Sequence, residues 1–135
     1  MSIEIDIRTG DAGWPAAREL ITSIWPQSGP IEWAQPDLRV MIEEQDHGVV
    51  SHVGIYRRIG TWKGRRARIG GIGGVCTHPD FRRRGYAGIA LTAAVQTLRD
   101  ERVRDFILLV CEPHNFSFYE ARGRQPFTGD VYVEQ

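Results

Sequence analysis

Apolar and polar positions change their spacing along the chain, and each change marks a new element. Ile3, Ile5 and Ile7 alternate with Glu4 and Asp6, the period of a half-buried strand with one packed face. Thr9-Gly10-Asp11 breaks that alternation. Ala17, Leu20, Ile21 and Ile24 then fall on one stripe, which predicts a helix capped by Asp11, running to about Trp25 and stopped by Pro26. Gln27 to Pro36 is rich in Pro and Gly and reads as a loop or short helix. Leu38 to Glu44 predicts a second strand, Asp46-His47-Gly48 a hairpin turn, and Val49 to Arg57 a third strand. Gly60–Gly64 turns the chain into a fourth strand, Arg66 to Thr77.

That fourth strand is abnormal. Glycines at 70, 71, 73 and 74 leave no side chains to pack, so they mark a bulge or a close approach by another backbone or a ligand. A turn at His78-Pro79-Asp80 follows, then the basic loop Arg82-Arg83-Arg84-Gly85-Tyr86-Ala87-Gly88. The helix it opens runs from Gly85 to Arg102, with Ala87, Leu91, Ala94 and Leu98 on its buried face. Phe106 to Val110 is a continuous apolar run, predicting a central strand buried on both faces. Strand, helix and strand in this order imply a parallel, right-handed crossover. Asn115 to Arg122 predicts a short helix closed by Gly123, and Val131-Tyr132-Val133 a last strand.

The order of strand, glycine-containing loop and helix start is suited to holding a phosphate. Amides of a first helical turn lack intrahelical partners, and the dipole there favours an anion. Arg82, Arg83 and Arg84 add charge-assisted donors, and Gly85 permits close approach or a positive φ. A solvated helix start with a glycine turn would carry the same residues without a ligand.

Composition narrows the classes. A chain of 135 residues suits one domain with a real core. Its 17 basic and 17 acidic residues balance, so nothing global points to nucleic acid. The basic residues cluster at Arg57-Arg58, Lys63–Arg68 and Arg82–Arg84, which suits a compact polyanion better than a long duplex. Cys76 and Cys111 lie in apolar contexts and read as small buried hydrophobes rather than a disulfide. The four histidines are scattered without metal-ligand spacing, so no metal is expected. Acidic residues stand where a signal peptide would be apolar, and no run is long enough to span a membrane. The expectation is a soluble, cytoplasmic protein.

Arg82-x-x-Gly85-x-Ala87 resembles the acetyl-CoA loop of the GNAT superfamily of N-acetyltransferases. Gly74-Val75-Cys76-Thr77-His78-Pro79 sits where that family places its bulged fourth strand, and Phe118-Tyr119-Glu120-Ala121-Arg122-Gly123 looks like its Phe/Leu-Tyr-x-x-x-Gly helix end. Together with His52-Val53-Gly54, these runs look most like the aminoglycoside 2′-N-acetyltransferases, over roughly the C-terminal two-thirds of the chain. The resemblance implies an α/β (α+β) GNAT fold. Its mixed central sheet would have about six strands, a β-bulge in the fourth, and helices on both faces. Residues 1–135 would form a single domain lacking the last C-terminal strand, and the edge so exposed would invite a homodimer.

The same resemblance implies acetyl-CoA as co-substrate. Its pantetheine arm would pair along the fourth strand as a pseudo-strand, with Val75, Cys76 and Thr77 beside it. The pyrophosphate would sit on Arg82, Arg83, Arg84, Gly85, Ala87 and Gly88, and Asn115 would bond the pantetheine amides. Trp25, Glu32 and Trp33 would contact the acceptor, or the tryptophans would simply cover the core. Acetyl transfer to an amine needs donors for the oxyanion, an acid for the departing thiolate and a base for the amine. Backbone amides at Val75–Thr77 fit the first need. Tyr119, a phenol protonated at neutral pH and placed by the resemblance beside the CoA sulfur, fits the second. At the register where the 2′-amine enzymes carry a glutamate this chain has Gly73, which leaves a water relay anchored on Glu112, His52 or His78. The activity implied is direct transfer, in a ternary complex, to a primary amine of a small molecule, aminoglycosides being one class. Acetylation of a protein or peptide amine, a non-catalytic CoA-binding module and an acyl-cysteine route through Cys76 or Cys111 are the alternatives.

Overall fold

The computed structural model describes residues 2–26, 34–101, 105–111 and 113–125. Its elements run β1 (Ile3–Thr9), α1 (Gly10–Ile24), β2 (Leu38–Glu44), β3 (Gly48–Trp62), β4 (Arg65–Thr77), α2 (Tyr86–Glu101), β5 (Phe106–Leu109) and α3 (Phe116–Glu120). The sheet order is β1-β2-β3-β4-β5. All neighbours pair antiparallel up to β4, and β4 pairs β5 in parallel, as the crossover through α2 requires. Five strands are seen among the described residues, against about six expected. The expected strand at 131–133, and the question of a strand after it, fall outside the described residues.

Local chemistry sets the boundaries. Thr9, not Asp11, caps α1, its Oγ1 accepting from the Ala12 N–H at 3.2 Å. Asp11 instead occupies the first turn, where its charge suits the helix dipole. The β3–β4 hairpin turns on Lys63 and Gly64, whose φ values of +50° and +76° suit a tight two-residue connection. Pairing therefore continues to Trp62 and Arg65, and Gly60 lies within the ladder rather than in the turn.

The helices take opposite faces of the sheet. On one side α2 packs Ala90, Leu91, Ala94 and Leu98 against Val40, Ile42, Val53, Ile55 and Ile72. Gly70 makes this approach possible, since a Cβ there would stand 2.8 Å from Leu98 Cδ1. Leu98 is 1% exposed, and Leu98→Ala is expected to destabilise the fold by about 2–5 kcal/mol in chemical denaturation. On the other side α1 presents its buried Ala17 and Leu20, and Gly13 lets the helix settle on Arg39 and Met41.

Two expectations about burial are corrected. Among the described residues β5 is not covered on both faces: Phe106 and Leu108 are 36% and 37% exposed, because α1 packs over β1 to β4 and does not reach their side. Ile3, Ile5 and Ile7 share the α2 side, yet they are 36–50% exposed because α2 lies over β2, β3 and β4. Among the described residues no helix is long and apolar enough to cross a membrane.

Candidate active site

The bulge foreseen in the fourth strand is centred on two residues. His52 pairs Cys76 and Gly54 pairs Gly73, so Gly74 and Val75 together stand opposite Val53. Gly74 has φ +59°, the left-handed conformation that glycine adopts without strain. Pairing with β5 reaches only Ile72↔Leu109. The two parallel strands thus part where the bulge begins, and residues 73–77 carry backbone groups beyond that pairing.

Side chains pin the carbonyls of this segment. His52 Nδ1 lies 2.7 Å from the Gly74 oxygen, and Ser51 Oγ donates to the Cys76 carbonyl at 3.2 Å. Ser51 Oγ also meets Thr77 Oγ1 at 2.9 Å, and Arg82 Nε donates to the Thr77 carbonyl at 3.2 Å. Arg39, a residue that sequence reasoning treated only as part of a strand, reaches His52 Nε2 with Nη1 at 3.2 Å. With both ring nitrogens engaged and 1% exposure, His52 has no free nitrogen for a water relay.

Burial pushes the His52 imidazole down to about 4, from an ordinary value of 6.5. Above pH 6.5 the ring is neutral whether the chain is folded or not. Below it the unfolded chain takes up a proton that the folded one refuses, so stability falls with pH until about 4. Over that interval the loss amounts to about 3 kcal/mol. Urea denaturation from pH 7 to pH 4.5 should therefore show wild type losing stability relative to His52→Asn as the pH drops.

The loop after β4 is shaped for a helix start open to a ligand. Arg83 and Gly85 have φ +66° and +80°, and nothing lies within 4 Å of a Cβ built on Gly85. The α2 ladder begins with the Ile89 N–H donating to the Gly85 carbonyl at 3.1 Å, and helix geometry leaves the amides at 87 and 88 ahead of it. The loop arginines diverge. Arg82 turns to the Thr77 carbonyl, while Arg84 lies over Phe81 and 3.5 Å from Glu44 Oε2, which also accepts from the Tyr86 hydroxyl at 3.1 Å.

A fourth guanidinium comes from elsewhere. Arg122 stacks on Phe118 at 3.7 Å, and its Nη2 would lie 3.0 Å from a Cβ at Gly88. In the sequence Arg122 stands out only as a member of the Phe118–Gly123 motif, and the glycine facing it at 88 is the available signal. A cavity of about 610 Å³ along α2 joins Gly85, Gly88 and Arg122. The other basic clusters do not contribute: Arg65 lies 12 residues along β4 from Thr77, a span of about 40 Å. Arg57 pairs with Glu101 and Arg58 with Asp37.

Tyr119 is 8% exposed, in the cluster that also packs Val75 and Cys111. Burial, reinforced by the Cys111 thiol, raises its phenol above the ordinary tyrosine value. Asn115 precedes α3 and makes no side-chain capping bond, so its amide is not spent on the helix. Burial pushes the Cys76 thiol up to about 12, which keeps it a thiol at neutral pH and removes its main qualification as an acyl carrier. Tyr56, overlooked in the sequence, lays its ring against Gly71 and Gly73, 3.1 Å from a Cβ at Gly73, with its hydroxyl 3.3 Å from the Ala34 carbonyl. Trp25, just after α1, is 43% exposed. Glu32, Trp33 and Glu112 lie outside the described residues.

Residues 14–126 match the family described as acetyltransferase (GNAT) domain. No curated protein matches the sequence. Among solved structures, glucosamine-6-phosphate N-acetyltransferase from Arabidopsis thaliana aligns with TM-score 0.75 and 12% identity, over 99% of each chain. The aminoglycoside N-acetyltransferase AAC(6')-Iy, bound to a bisubstrate analogue, aligns with TM-score 0.74 and 16% identity over 100% of this chain and 99% of its own. A predicted acetyltransferase from Clostridium acetobutylicum, solved with acetyl-CoA, aligns with TM-score 0.71 and 15% identity over 98% and 96%.

Proposed function

Because the chain belongs to the acetyltransferase (GNAT) family, we propose that it transfers the acetyl group of acetyl-CoA to a primary amine of a small molecule, by direct attack in a ternary complex. One observation carries the reading: the Gly74–Val75 bulge falls where β4 and β5 cease to pair. A strand edge released from its neighbour offers amides and carbonyls to an amide-bearing arm, and Val75, Cys76 and Thr77 would hold it. The first turn of α2, entered through Gly85, with Ala87 and Gly88 exposing backbone amides, would hold the pyrophosphate. Arg82, Arg83 and Arg84 would add positive potential around the loop, and Arg122 would supply the nearest guanidinium. Asn115 would bond the amides of the arm.

Acetyl-CoA supplies a thioester carbonyl whose oxygen gains negative charge as the amine attacks. The Val75 N–H is the proposed donor to that oxygen, fixed in advance rather than recruited during reaction. Tyr119 is the proposed acid for the departing thiolate. Glu112, which follows Cys111 in the chain, is proposed to anchor the water that receives the amine proton.

The acceptor proposed is an amino sugar or similar small amine, since two of the proteins sharing this fold are described as acetylating glucosamine-6-phosphate and aminoglycosides. Trp25, Glu32 and Trp33 would contact it. Tyr56 fills the space beside Gly73, so the 2′-amine enzymes' glutamate has no counterpart there. That argues for a different acceptor geometry from theirs. The test is thiol release from acetyl-CoA across a panel of amino sugars, aminoglycosides, polyamines and a lysine peptide, beside calorimetry of acetyl-CoA alone. Turnover with a small amine is the expected result. Binding without turnover would make the chain a CoA-binding module, and absence of binding would overturn the proposal.

A further inference from the structure

We propose that Arg39 and His52 are positioning residues, forming a buried clamp that holds the Gly74 carbonyl and thereby aims the Val75 N–H. The inference rests on the transfer reading above and extends it to residues away from the reacting atoms.

Hydrogen-bond chemistry fixes the protonation pattern. A guanidinium can only donate, so the contact of 3.2 Å makes His52 Nε2 the acceptor from Arg39 Nη1. The proton of the neutral ring is then on Nδ1, which donates to the Gly74 carbonyl at 2.7 Å. Arg39 is held in turn from the other side. Its Nε donates to the Gly10 carbonyl at 2.8 Å, at the first residue of α1, and its Nη2 donates to Gln35 Oε1. The guanidinium also lies 5.1 Å from the centre of the Trp14 ring. Arg39 and His52 are 2% and 1% exposed.

Burying a guanidinium is unfavourable unless its donors are satisfied. Here the partners are a carbonyl, an imidazole and an amide, with Asp11 of α1 and Tyr56 of β3 as the further charged or titratable groups acting on Arg39, and Cys76 paired across from His52 on β4. What this arrangement accomplishes is visible at its far end. Peptide planarity makes the N–H of residue 75 point opposite to the C=O of residue 74. Fixing the carbonyl on the Arg39 side therefore sends the Val75 amide the other way. Ser51 does the same to the next alternate carbonyl, at Cys76. The clamp thus ties α1 and the segment before β2 to the amide proposed to receive developing charge.

The first test uses the intact protein without any ligand. In 15N spectra of histidine-labelled wild type at pH 7, assigned by loss of signal in His52→Asn, the His52 ring should show a protonated Nδ1 and a bare Nε2. The opposite tautomer, or an imidazolium, would overturn the clamp. The second test is kinetic. His52→Leu should lower kcat by about 10²-fold while raising KM for acetyl-CoA by no more than about threefold, since Cys76, Thr77 and the first turn of α2 still hold the bound molecule while the reacting state loses its aimed donor. His52→Asn, whose amide can still donate to Gly74, should recover most of that loss with an unchanged pH profile. Unaltered kcat in His52→Leu, or loss of the profile's basic-side activity in His52→Asn, would count against the clamp. If His52→Leu does not fold, or if wild type releases no thiol with any amine, the ring-nitrogen signals still decide the matter; the latter result would sink the transfer reading alone.

Discussion

Gly74→Val is expected to reduce turnover by at least about 10²-fold and to destabilise the protein by about 1–3 kcal/mol. The backbone effect comes first. At φ +59° a branched side chain crowds its own carbonyl, and no local relaxation is available without losing the bulge. The contact effect adds to it: a Cβ on Gly74 would sit 3.2 Å from His52 Cε1 and 3.4 Å from Nδ1, atoms of a rigid ring that is itself hydrogen-bonded on both sides. To escape, either the ring or the peptide plane must rotate, and either movement turns the Val75 amide. Gly48→Ala is the matched control. Its φ of +73° imposes a similar backbone strain, in the β2–β3 turn, with nothing within 4 Å of the new Cβ. Urea denaturation should show both variants weakened, while thiol-release assays show only Gly74→Val inactive. Equal turnover in the two would mean that the bulge plays no part in transfer.

How much of this was legible in the sequence depends on whether a signal was local. The bulge was legible because glycine is costly in a strand, and four glycines between positions 70 and 74 of one strand had to mean distorted geometry. Its centre was not: only the pairing with β3 reveals that Gly74 and Val75 share Val53. Thr9 and Asp11 are both acceptable caps, and the competition was decided by where the backbone leaves β1. The run Phe106–Val110 shows the limit of periodicity, because continuous apolar character does not say whether a second layer lies above it. Val110 is 95% exposed. His52, named as a relay anchor, was not read as the buried partner of Arg39 for a related reason. The two residues lie on neighbouring strands far apart in the chain, and nothing local reveals that α1 will cover that face and bury them together. The clustered arginines suggested one patch, but β4 is long enough to carry the hairpin cluster to the opposite end of the sheet from the loop. Arg122 and Tyr56 were both recoverable in principle from the glycines that make room for them, at 88 and 73.

Tyr119→Phe is expected to lower kcat by about 10²–10³-fold with acetyl-CoA affinity near that of wild type. The substitution suits the question because the ring, not the hydroxyl, does the packing. Tyr119 is 8% exposed and meets Phe118 edge-on at 5.0 Å, so phenylalanine keeps the cluster filled and the fold intact. The hydroxyl's worth lies in its proton. Burial raises the phenol above its ordinary value of 10.0, the Cys111 thiol adds to this, and Arg122 opposes both without prevailing. A phenol with a raised pKa stays in its acid form through neutral and mildly alkaline pH, which a donor to a leaving thiolate requires. In wild type, then, kcat should not decline through loss of this proton until the pH exceeds the usual tyrosine range. In the variant the leaving thiolate must take its proton from water, and the deficit should shrink with an acyl donor whose thiol is more acidic, because a better leaving group needs less help. Calorimetry with acetyl-CoA and a turnover series across such donors separate the two effects. An unchanged kcat would remove Tyr119 from the acid's role, and a deficit of constant size across the series would reassign it to binding the reacting state by shape.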